Sequence, residues 1–568
     1  MTENTFNDRP HKNEKVDSIN YVKTMIEKAR DEAREDDIPK LEKLLQMLNT
    51  KKYGLVWEEH AEKVEEEMRT KIPVFVEEKS KKISDNLASD DYNFLLEGDN
   101  LHSLYLLEKT HFGKIDVIYI DPPYNTGAKD WKYNNSFVDD TDNFRHSKWI
   151  SFMQRRLRIA KRLLSARGII IVAIDHYELA NLIELMDEEF GEKNRIGIVS
   201  VVHKPEGRNQ EKFFGTSNEF ALFYAKEKNK ASFRQVLINN NPEDYDKSDN
   251  IGAYKLKNFI RMSDGKYATR DAKPNFWYPI YISKDLSEYS FTEKKDFFSV
   301  YPITSSGIER TWKTLPRSFS KYWDEGNIEV VENDGRISIF EKQRPNEVIK
   351  THWIKTEYHA YHHGTKVLTE LLGEKRFDFP KSVTLIKDIL KLTSYKESII
   401  LDFFAGSGTT GQAVVELNKE DDGNRKFILA TNNENNIAEE VTYERMKHVS
   451  TGTNKYEAHP LNLKYFKTKF IVKKEFPDVS LEYELLKYVT PLVELEFSVD
   501  ITNPKVQIVL NEEQLELLID SKQLISNSTI FMHPDVFRDA KQNRILEDLK
   551  IRVQEIPNYF FGTELWAK

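Results

Sequence analysis

The stretch IDVIYIDPPYNTG, from Ile115 to Gly127, joins an apolar run to a polar and rigid turn. All but one of the residues in Ile115–Ile120 are apolar or aromatic, which is typical of a strand buried on both faces of a parallel α/β sheet. The turn that follows consists of Asp121, Pro122, Pro123 and Tyr124. In open α/β sheets ligands bind at the carboxyl ends of the strands, so this turn is a candidate site.

The flanking sequence alternates strand-like and helix-like segments. A basic amphipathic helix is predicted for residues 149–168 and a second helix, closed by Gly191, for residues 179–191. Strands are predicted around them at residues 169–178 and 219–226. This alternation predicts a doubly wound, mostly parallel sheet.

Length and composition limit the class of protein. A chain of 568 residues is too long for one core, and its 31% charged and 39% hydrophobic residues are typical of a globular protein. No apolar run approaches the roughly 18 residues of a membrane span, and the N-terminus lacks the apolar core of a secretory signal, so we expect a cytoplasmic protein. The absence of cysteine excludes disulfides and thiolate zinc sites. A net charge of −9 leaves a nucleic-acid partner open, because binding would require basic side chains gathered on one face.

A second informative turn lies in LDFFAGSGTT, Leu401–Thr410. An apolar strand runs into a glycine-containing turn and then a helix, and glycines permit a tight turn with close approach of a ligand to the backbone. No lysine follows the glycines, so the turn is not a nucleotide-hydrolysing P-loop. Alone, the pattern also fits a strand-to-helix turn without a ligand.

The residue types of the first turn suit a reaction at an aromatic amine. The nitrogen lone pair of such an amine is delocalised into the ring, and acceptance of its hydrogens by the Asp121 carboxylate and a fixed backbone carbonyl would direct that lone pair outward. The prolines add rigidity and no competing donor. Tyr124 would stack on a base swung out of a duplex. Taken alone, this stretch also fits a rigid turn that caps a strand.

The two motifs together resemble the amino-group DNA methyltransferases that use S-adenosylmethionine, and the acidic first residue resembles their adenine-specific members. The order, with the catalytic turn before the glycine turn, resembles the circularly permuted beta class. Residues 98–127, 146–161, 214–226 and 376–390 look like the modification subunits of type III restriction-modification systems. The resemblance implies a seven-stranded Rossmann-like α/β sheet, interrupted by a target-recognition domain. The sequence pattern itself predicts a helical N-terminal region and a small α/β C-terminal region.

The resemblance also implies roles for individual residues. The catalytic turn is Asp121, Pro122, Pro123 and Tyr124, with the target amine held by Asp121 and the Pro122 carbonyl. The implied contacts to S-adenosylmethionine come from Asp99, Phe379, Pro380, Lys381, Asp402, Phe404, Ala405, Gly406, Ser407, Gly408, Thr409 and Glu434. Among these, Asp99 would lie near the adenine of the cofactor, Glu434 at its ribose, and residues 379–381 over its methionine end.

The domain boundaries expected from these patterns, in chain order, are 1–90 for the helical N-terminal region, 91–230 for the catalytic half, 231–365 for target recognition, 366–465 for the cofactor half and 466–568 for a C-terminal domain that serves subunit association. The resemblance implies double-stranded DNA as substrate, a homodimer, and a separate restriction subunit with helicase and nuclease activities.

Several features leave alternatives open. Lys204 and Arg208 are candidates for contacts with DNA phosphates, although ordinary solvated charges explain them equally well. Four histidines, His352, His359, His362 and His363, lack the further ligands of a metal shell, so no metal site is predicted. A non-catalytic DNA-specificity subunit and a methyltransferase acting on RNA or protein remain alternative functions.

Overall fold

The computed structural model of the protein describes residues 14–32, 34–49, 57–133, 136–207, 213–234, 245–249, 252–262, 268–333, 335–344, 349–472 and 488–556. The chain forms two compact units. The first comprises Met1–Ser232, Thr356–Lys387 and Tyr395–Lys568, and the second comprises Phe233–Lys355 and Asp388–Ser394.

Strands and helices alternate along most of the first unit. The described strands are β1 (Lys71–Glu77), β2 (Ile83–Ser84), β3 (Asn93–Glu97), β4 (Ile115–Ile120), β5 (Ala128–Tyr133), β6 (Ser136–Asp139), β7 (Leu164–Ile174), β8 (Arg195–Val202), β9 (Asn218–Ala225), β10 (Lys247–Asp249), β11 (Gly252–Asn258), β12 (Ile280–Ser283), β13 (Tyr289–Ser290), β14 (Phe297–Val300), β15 (Ile328–Asn333), β16 (Arg336–Gln343), β17 (His352–Trp353), β18 (Ile399–Asp402), β19 (Lys426–Thr431), β20 (Asn462–Val472), β21 (Val506–Val509), β22 (Thr529–Met532) and β23 (Arg552–Glu555). The α-helices span Glu14–Asp31, Ile38–Asn49, Lys63–Met68, Asn100–His111, Arg145–Leu163, Leu179–Phe190, Pro316–Asp324, Lys366–Leu372, Val383–Thr393, Thr409–Asp421, Glu444–Thr451, Val489–Phe497, Glu512–Asp520 and Ala540–Asp548. Short 3-10 or π turns cover Glu35–Asp37, Lys79–Lys81, Glu192–Asn194, Pro274–Phe276, Thr356–Tyr358, Tyr361–Thr365, Glu434–Asn436 and Ile437–Tyr443.

The main sheet of the first unit has the strand order β1-β20-β3-β19-β18-β4-β7-β9-β8, and β2 pairs with β20. Its core is the seven-strand run from β3 to β8. The strands from β3 to β7 are mutually parallel, while β9 is antiparallel to both of its neighbours. The predicted seven-stranded Rossmann-like α/β sheet is therefore confirmed, and β20, β1 and β2 extend it at one edge.

Strand β4 lies in the middle of this sheet. Side chains from both faces of β4, including Val117, Ile118 and Ile120, are fully buried. Burial on both faces requires cover on both sides of the sheet, as expected for a parallel arrangement. The apolar run of Ile115–Ile120 is thus explained by its central position.

Two local expectations differ from the structure. Residues 1–90 were expected to be helical, but Lys71–Glu77 forms β1, which pairs antiparallel with β20. The helix predicted for residues 149–168 ends at Leu163, because Leu164 already has extended backbone angles and begins β7. The helix closed by Gly191 is confirmed, and that glycine has a φ of 90°.

The second unit is a β-rich module with an aromatic core. It contains a four-stranded sheet, β10-β11-β16-β15, and a three-stranded sheet, β13-β12-β14. Phe259, Trp312 and Phe319 are fully buried between them and form the centre of its core with Ile280 and Ile282. The boundaries predicted for the domains remain predictions.

The C-terminal segment adds a small α/β layer to the first unit. Strands β21, β22 and β23 form a parallel sheet in that order, with helices Glu512–Asp520 and Ala540–Asp548 between them in sequence. The preceding helix, Val489–Phe497, buries Val489 and Leu492 in the main core. Within the described residues, no helix combines the length and apolarity that crossing a bilayer requires.

A buried ion cluster joins the main sheet to this C-terminal segment. The fully buried Lys464 of β20 lies 2.6 Å from Glu494, 3.0 Å from Glu77 and 2.9 Å from Asp500. Glu494 also accepts a hydrogen bond from the Ile501 amide at 2.9 Å. Lys464 therefore compensates the buried Glu494 together with the mostly buried Glu77 and Asp500, and Lys82 also pairs with Asp500.

We expect Lys464→Met to lower the free energy of unfolding by about 3–5 kcal/mol, because it leaves the fully buried Glu494 without its counter-ion. Urea unfolding followed by circular dichroism measures this loss. The matched control is Lys419→Met, which removes a lysine from an exposed ion pair with Glu457 and should cost less than about 1 kcal/mol. Equal losses in the two variants would contradict the structural importance of the cluster.

Candidate active site

The two informative turns leave the sheet side by side. Strand β18 pairs in parallel with β4, with Ile400 opposite Val117 and Leu401 opposite Ile118. Neighbouring parallel strands end at the same edge, so Asp121–Tyr124 and Asp402–Thr409 emerge together. This is the edge at which ligands bind in open α/β sheets.

Hydrogen bonds fix the turn that follows β4. The indole N–H of Trp149 donates to the Pro123 carbonyl at 2.7 Å. Asn125, fully buried with a φ of 56°, donates to the carboxylate of Glu178 and accepts from the Trp131 indole at 2.8 Å. The rigidity expected from the prolines is thus reinforced by side chains from outside the turn.

Lys381 and Glu219 lie directly against the same turn. The Tyr124 hydroxyl donates to Glu219 Oε2 at 3.0 Å, and Lys381 Nζ donates to the same oxygen at 2.5 Å. Lys381 also donates to the Tyr124 hydroxyl and lies 3.3 Å from Asp121 Oδ1. Three charged groups therefore share a small and mostly buried volume.

Burial and mutual charge shift the ionisation of this group in different directions. Burial raises the pKa of Asp121, the Lys381 ammonium opposes that shift, and the charge of Glu219 adds to it. Burial also acts to raise the pKa of Glu219, but Lys381 and His203 outweigh it, so that this pKa is lowered. For Lys381, burial is outweighed by the two carboxylates, which raise its pKa.

One buried oxygen of Asp121, Oδ1, accepts no hydrogen bond from the described residues, while it lies 3.3 Å from the Lys381 ammonium. A buried acceptor without a partner is costly and uncommon in folded proteins. This atom marks where a ligand with an N–H group would be stabilised.

The glycine turn has the geometry that its sequence indicates. Gly406 and Gly408 have φ values of 47° and 77°, and a Cβ atom on Gly408 would approach Thr442 to 3.1 Å. Gly408 begins the helix Thr409–Asp421, whose first amides carry the positive end of the helix dipole. The turn can therefore receive an anionic group of a ligand.

Two residues from later in the chain fix the turn by hydrogen bonds. Arg445 is fully buried and donates to the Ser407 carbonyl at 3.1 Å and to the Thr409 hydroxyl at 2.8 Å. The Thr442 hydroxyl donates to the Gly406 carbonyl at 2.6 Å. Sequence reasoning did not find Arg445, because ERMKHVS shows no pattern that points to a turn more than thirty residues away.

Asp402 supports the turn from its first residue. Its carboxylate accepts from the Phe404 amide at 3.0 Å and the Thr410 hydroxyl at 2.6 Å. Burial raises its pKa to about 7, against these two hydrogen bonds and with a contribution from the charge of Asp121. The influence of Asp121 shows that the two turns are electrostatically connected.

A polar relay ties Asp99 to the glycine turn. Asp99 caps helix Asn100–His111 by accepting from the Leu101 amide at 2.8 Å, and Asn100 donates to the Phe403 carbonyl at 2.8 Å. The buried Arg156 donates to Asn100 at 2.6 Å and lies 3.4 Å from Asp99. Asp99 is therefore held beside the strand end that leads to Phe404.

The remaining predicted contacts lie at different places. Glu434 follows β19, is 47% exposed, and forms an ion pair with Lys132 at 3.3 Å. Phe379 is 86% exposed with a φ of 58°, whereas the neighbouring Lys381 points to the catalytic turn. Lys204 is exposed, and Arg208 lies outside the described residues. Cofactor contacts for these residues remain predictions.

Glu219 was missed because strands were assumed to run parallel. It lies at the amino end of β9, and the antiparallel direction of β9 brings that end to the edge where β4 and β7 finish. A charged residue at the start of an otherwise apolar strand was the available signal. Among the described residues, no group of histidine and acidic side chains could hold a metal ion.

Comparison with known proteins gives consistent matches. Residues 115–455 match the N6_N4_Mtase family, described as DNA methylase. The chain is 34% identical over 345 residues to the type II methyltransferase M.KpnI of Klebsiella pneumoniae, covering 59% of this chain and 79% of that protein. It is 32% identical over 377 residues to the type III restriction-modification enzyme EcoPI Mod subunit of Escherichia phage P1, and 32% identical over 399 residues to the StyLTI Mod subunit of Salmonella typhimurium. These alignments cover 60% and 64% of this chain but only 58% and 56% of the two Mod subunits.

The raised pKa of Asp402 predicts a pH-dependent stability. Its pKa is about 7 in the folded chain, against an ordinary value of 3.8, so the folded chain holds an extra proton between these values. The contribution of this residue to stability therefore falls as the pH rises from about 4 to about 7, and stays low above that. We expect Asp402→Asn to gain stability relative to the wild type as the pH is raised from 5 to 8.

Urea unfolding midpoints at several pH values measure this difference. The control is Asp422→Asn, which alters an exposed carboxyl directly after helix Thr409–Asp421 and should show a difference from wild type that does not change with pH. A pH-independent difference for Asp402→Asn would show that its carboxyl is ionised throughout this range.

Proposed function

Because this chain belongs to the N6_N4_Mtase family of DNA methylases, we propose that it transfers a methyl group from S-adenosylmethionine to the N6 amine of an adenine in double-stranded DNA. The family membership confirms the DNA methyltransferase that the two sequence motifs indicated. It also disfavours the alternative of an RNA- or protein-modifying enzyme. The choice of adenine is supported by the acidic first residue of the Asp121–Tyr124 turn.

The observation that carries the proposal is the unused acceptor at Asp121. Its buried Oδ1 atom makes no hydrogen bond with the described residues, and it lies at the edge from which the glycine turn also emerges. An exocyclic amine of a flipped base would donate to this atom. A non-catalytic specificity subunit would have no use for a buried carboxylate oxygen that accepts no hydrogen bond.

The glycine turn fits the cofactor. Gly406 and Gly408 have positive φ values that favour glycine, and without side chains they let a ligand approach the backbone closely. The amides that open helix Thr409–Asp421 suit the carboxylate of a methionine group. Glu434, half-exposed beyond β19, suits the hydroxyls of a ribose. When bound, S-adenosylmethionine supplies a methyl group activated by a sulfonium.

The residues of the catalytic turn then orient the acceptor. Asp121 and the Pro122 carbonyl each accept one hydrogen of the amine, which directs the nitrogen lone pair toward the methyl group. Asp121 acts first as an acceptor rather than a strong base, because a neutral amine on an aromatic ring does not ionise near pH 7. The nitrogen that gains the methyl group would become cationic, and its extra proton would pass to the Asp121 carboxylate or to water. Tyr124 stacks on the flipped base, offsetting the few kcal/mol that extrusion from the duplex costs. Alignment of this kind can supply about 7–11 kcal/mol of the barrier reduction.

The wider assignment is the modification and specificity subunit of a type III restriction-modification system. Two relatives at 32% identity bear the name of Mod subunits of such systems, although the alignments cover less than two thirds of their length. The proposal includes target recognition by residues 231–365, a homodimer, and a restriction subunit with helicase and nuclease activities as partner. A DNA substrate implies a cytoplasmic location.

A solitary methyltransferase is the second candidate. The relative M.KpnI is named a type II methyltransferase, is 34% identical, and is matched over 79% of its length. Purification from the native cells distinguishes the two candidates, since only the type III assignment predicts that a large restriction subunit copurifies in stoichiometric amounts.

Asp121→Ala should reduce methyl transfer by about 10²-fold or more, because the amine loses the acceptor that aligns it. Binding of S-adenosylmethionine should remain, since Asp121 is proposed to contact the amine of the base. Tritiated methyl transfer to DNA, RNA and protein, together with cofactor titration, tests both expectations. Asp520→Ala, at an exposed helix end, is the control and should retain full activity. Wild-type turnover in Asp121→Ala would remove this residue from the mechanism.

Modified-base sequencing tests the target base in cells. DNA from cells that express the wild type should carry N6-methyladenine at one short sequence motif. DNA from cells that express Asp121→Ala should carry none above background. Methylation at cytosine N4 in place of adenine would overturn the assigned base while leaving the methyltransferase assignment intact.

A further inference from the structure

Glu219 is a buried acid beside the catalytic turn, and the sequence motifs assign it no role. It is only 5% exposed and lies at the amino end of β9. Strand β9 pairs antiparallel with β7, with Phe220 opposite Ile174, so Glu219 reaches the edge where Asp121 is located. Burial of a carboxylate costs free energy of folding, so a carboxylate without a function would be unfavourable at this position.

The contacts of Glu219 form a closed group with two residues of the site. It accepts from the Tyr124 hydroxyl at 3.0 Å and from the Lys381 ammonium at 2.5 Å. The same ammonium lies farther from Asp121, at 3.3 Å. Lys381 is therefore drawn toward Glu219, and Oδ1 of Asp121 is left without a hydrogen bond from the described residues.

We propose that Glu219 is a positioning residue: it draws the Lys381 ammonium closer to itself, at 2.5 Å, than to Asp121, at 3.3 Å, and it fixes the Tyr124 hydroxyl, so that Asp121 Oδ1 stays available to the target amine. The inference rests on the proposed function, because it assumes that Asp121 receives this amine. Without the Glu219 charge, Lys381 would have Asp121 as its remaining carboxylate neighbour at the turn. An ammonium hydrogen would then occupy the acceptor that the amine requires.

Charge conservation makes the inference specific. The wild type has two carboxylates, Asp121 and Glu219, and the single ammonium of Lys381. Glu219→Gln leaves one carboxylate and the ammonium, whereas Lys381→Met leaves two carboxylates without a counter-ion. The double variant Glu219→Gln/Lys381→Met restores the net charge of the wild type and keeps a free Asp121.

The experiment measures single-turnover methylation of unmethylated plasmid DNA at saturating tritiated S-adenosylmethionine. We expect Glu219→Gln to slow methylation by about 10²-fold. The reason is that Lys381 would then occupy Asp121 Oδ1, and the target amine would lose the acceptor that aligns it. Its dissociation constant for S-adenosylmethionine should stay within about twofold of the wild-type value. The double variant should recover to within about tenfold of the wild-type rate, which is faster than either single variant.

A purely structural role for Glu219 predicts the opposite order. In that case the double variant would be at least as slow as the slower single variant, and the inference would be wrong. A Glu219→Gln enzyme with the wild-type rate would also overturn it. Tyr124→Phe removes the hydroxyl and keeps the ring, so it tests the hydrogen bond between Tyr124 and Glu219 by itself. It should slow methylation less than Glu219→Gln.

Controls distinguish this inference from the proposed function. The surface pair Glu227 and Lys230 receives the same substitutions, Glu227→Gln/Lys230→Met, and should retain the wild-type rate. If the wild type itself transfers no methyl group to DNA, the proposed function fails. If the wild type is active and the double variant shows no recovery, the role of Glu219 alone is refuted.

Discussion

The parallel pairing of β4 with β18 is the constraint on which the site depends. These strands lie side by side with Ile400 opposite Val117, so the turns at their carboxyl ends share one edge of the sheet. This pairing does not depend on which of the two strands comes first along the chain. The Asp121–Tyr124 turn is encoded before the glycine turn, with the second unit's residues 233–355 between them in sequence, and it therefore reaches the same geometry as the reverse order would.

That shared edge concentrates buried negative charge. Glu219 and Asp402 are buried, Asp121 is partly buried, and Lys381 is the ammonium in direct contact with Asp121 and Glu219. The pKa of Asp402 is raised to about 7 by burial first and by the Asp121 charge in addition. The protein thus builds an electrostatic environment that favours a cationic ligand, and S-adenosylmethionine carries its positive charge at the reacting sulfur.

The sheet and its two informative turns were predictable because their signals are local. An apolar run such as Ile115–Ile120 identifies a buried strand, and glycines between a strand and a helix identify a tight turn. Strand β1 was missed, since its apolar residues Ile72–Val76 follow a charged helical stretch and its partner β20 is nearly four hundred positions later. Pairing over such a separation leaves no mark in the segment itself.

The same distinction explains which parts of the site were found. Asp121 and Gly406 lie within short motifs, and the residue types of those motifs are enough to predict a site there. The placement of Glu219 depends instead on the direction of β9, and that of Arg445 on the packing of a helix beneath the turn. Both are fixed by tertiary structure, so a single sequence gives their identity but not their neighbours. Local sequence motifs therefore specify the two turns of this site. The charged side chains that surround the turns are placed by the tertiary structure.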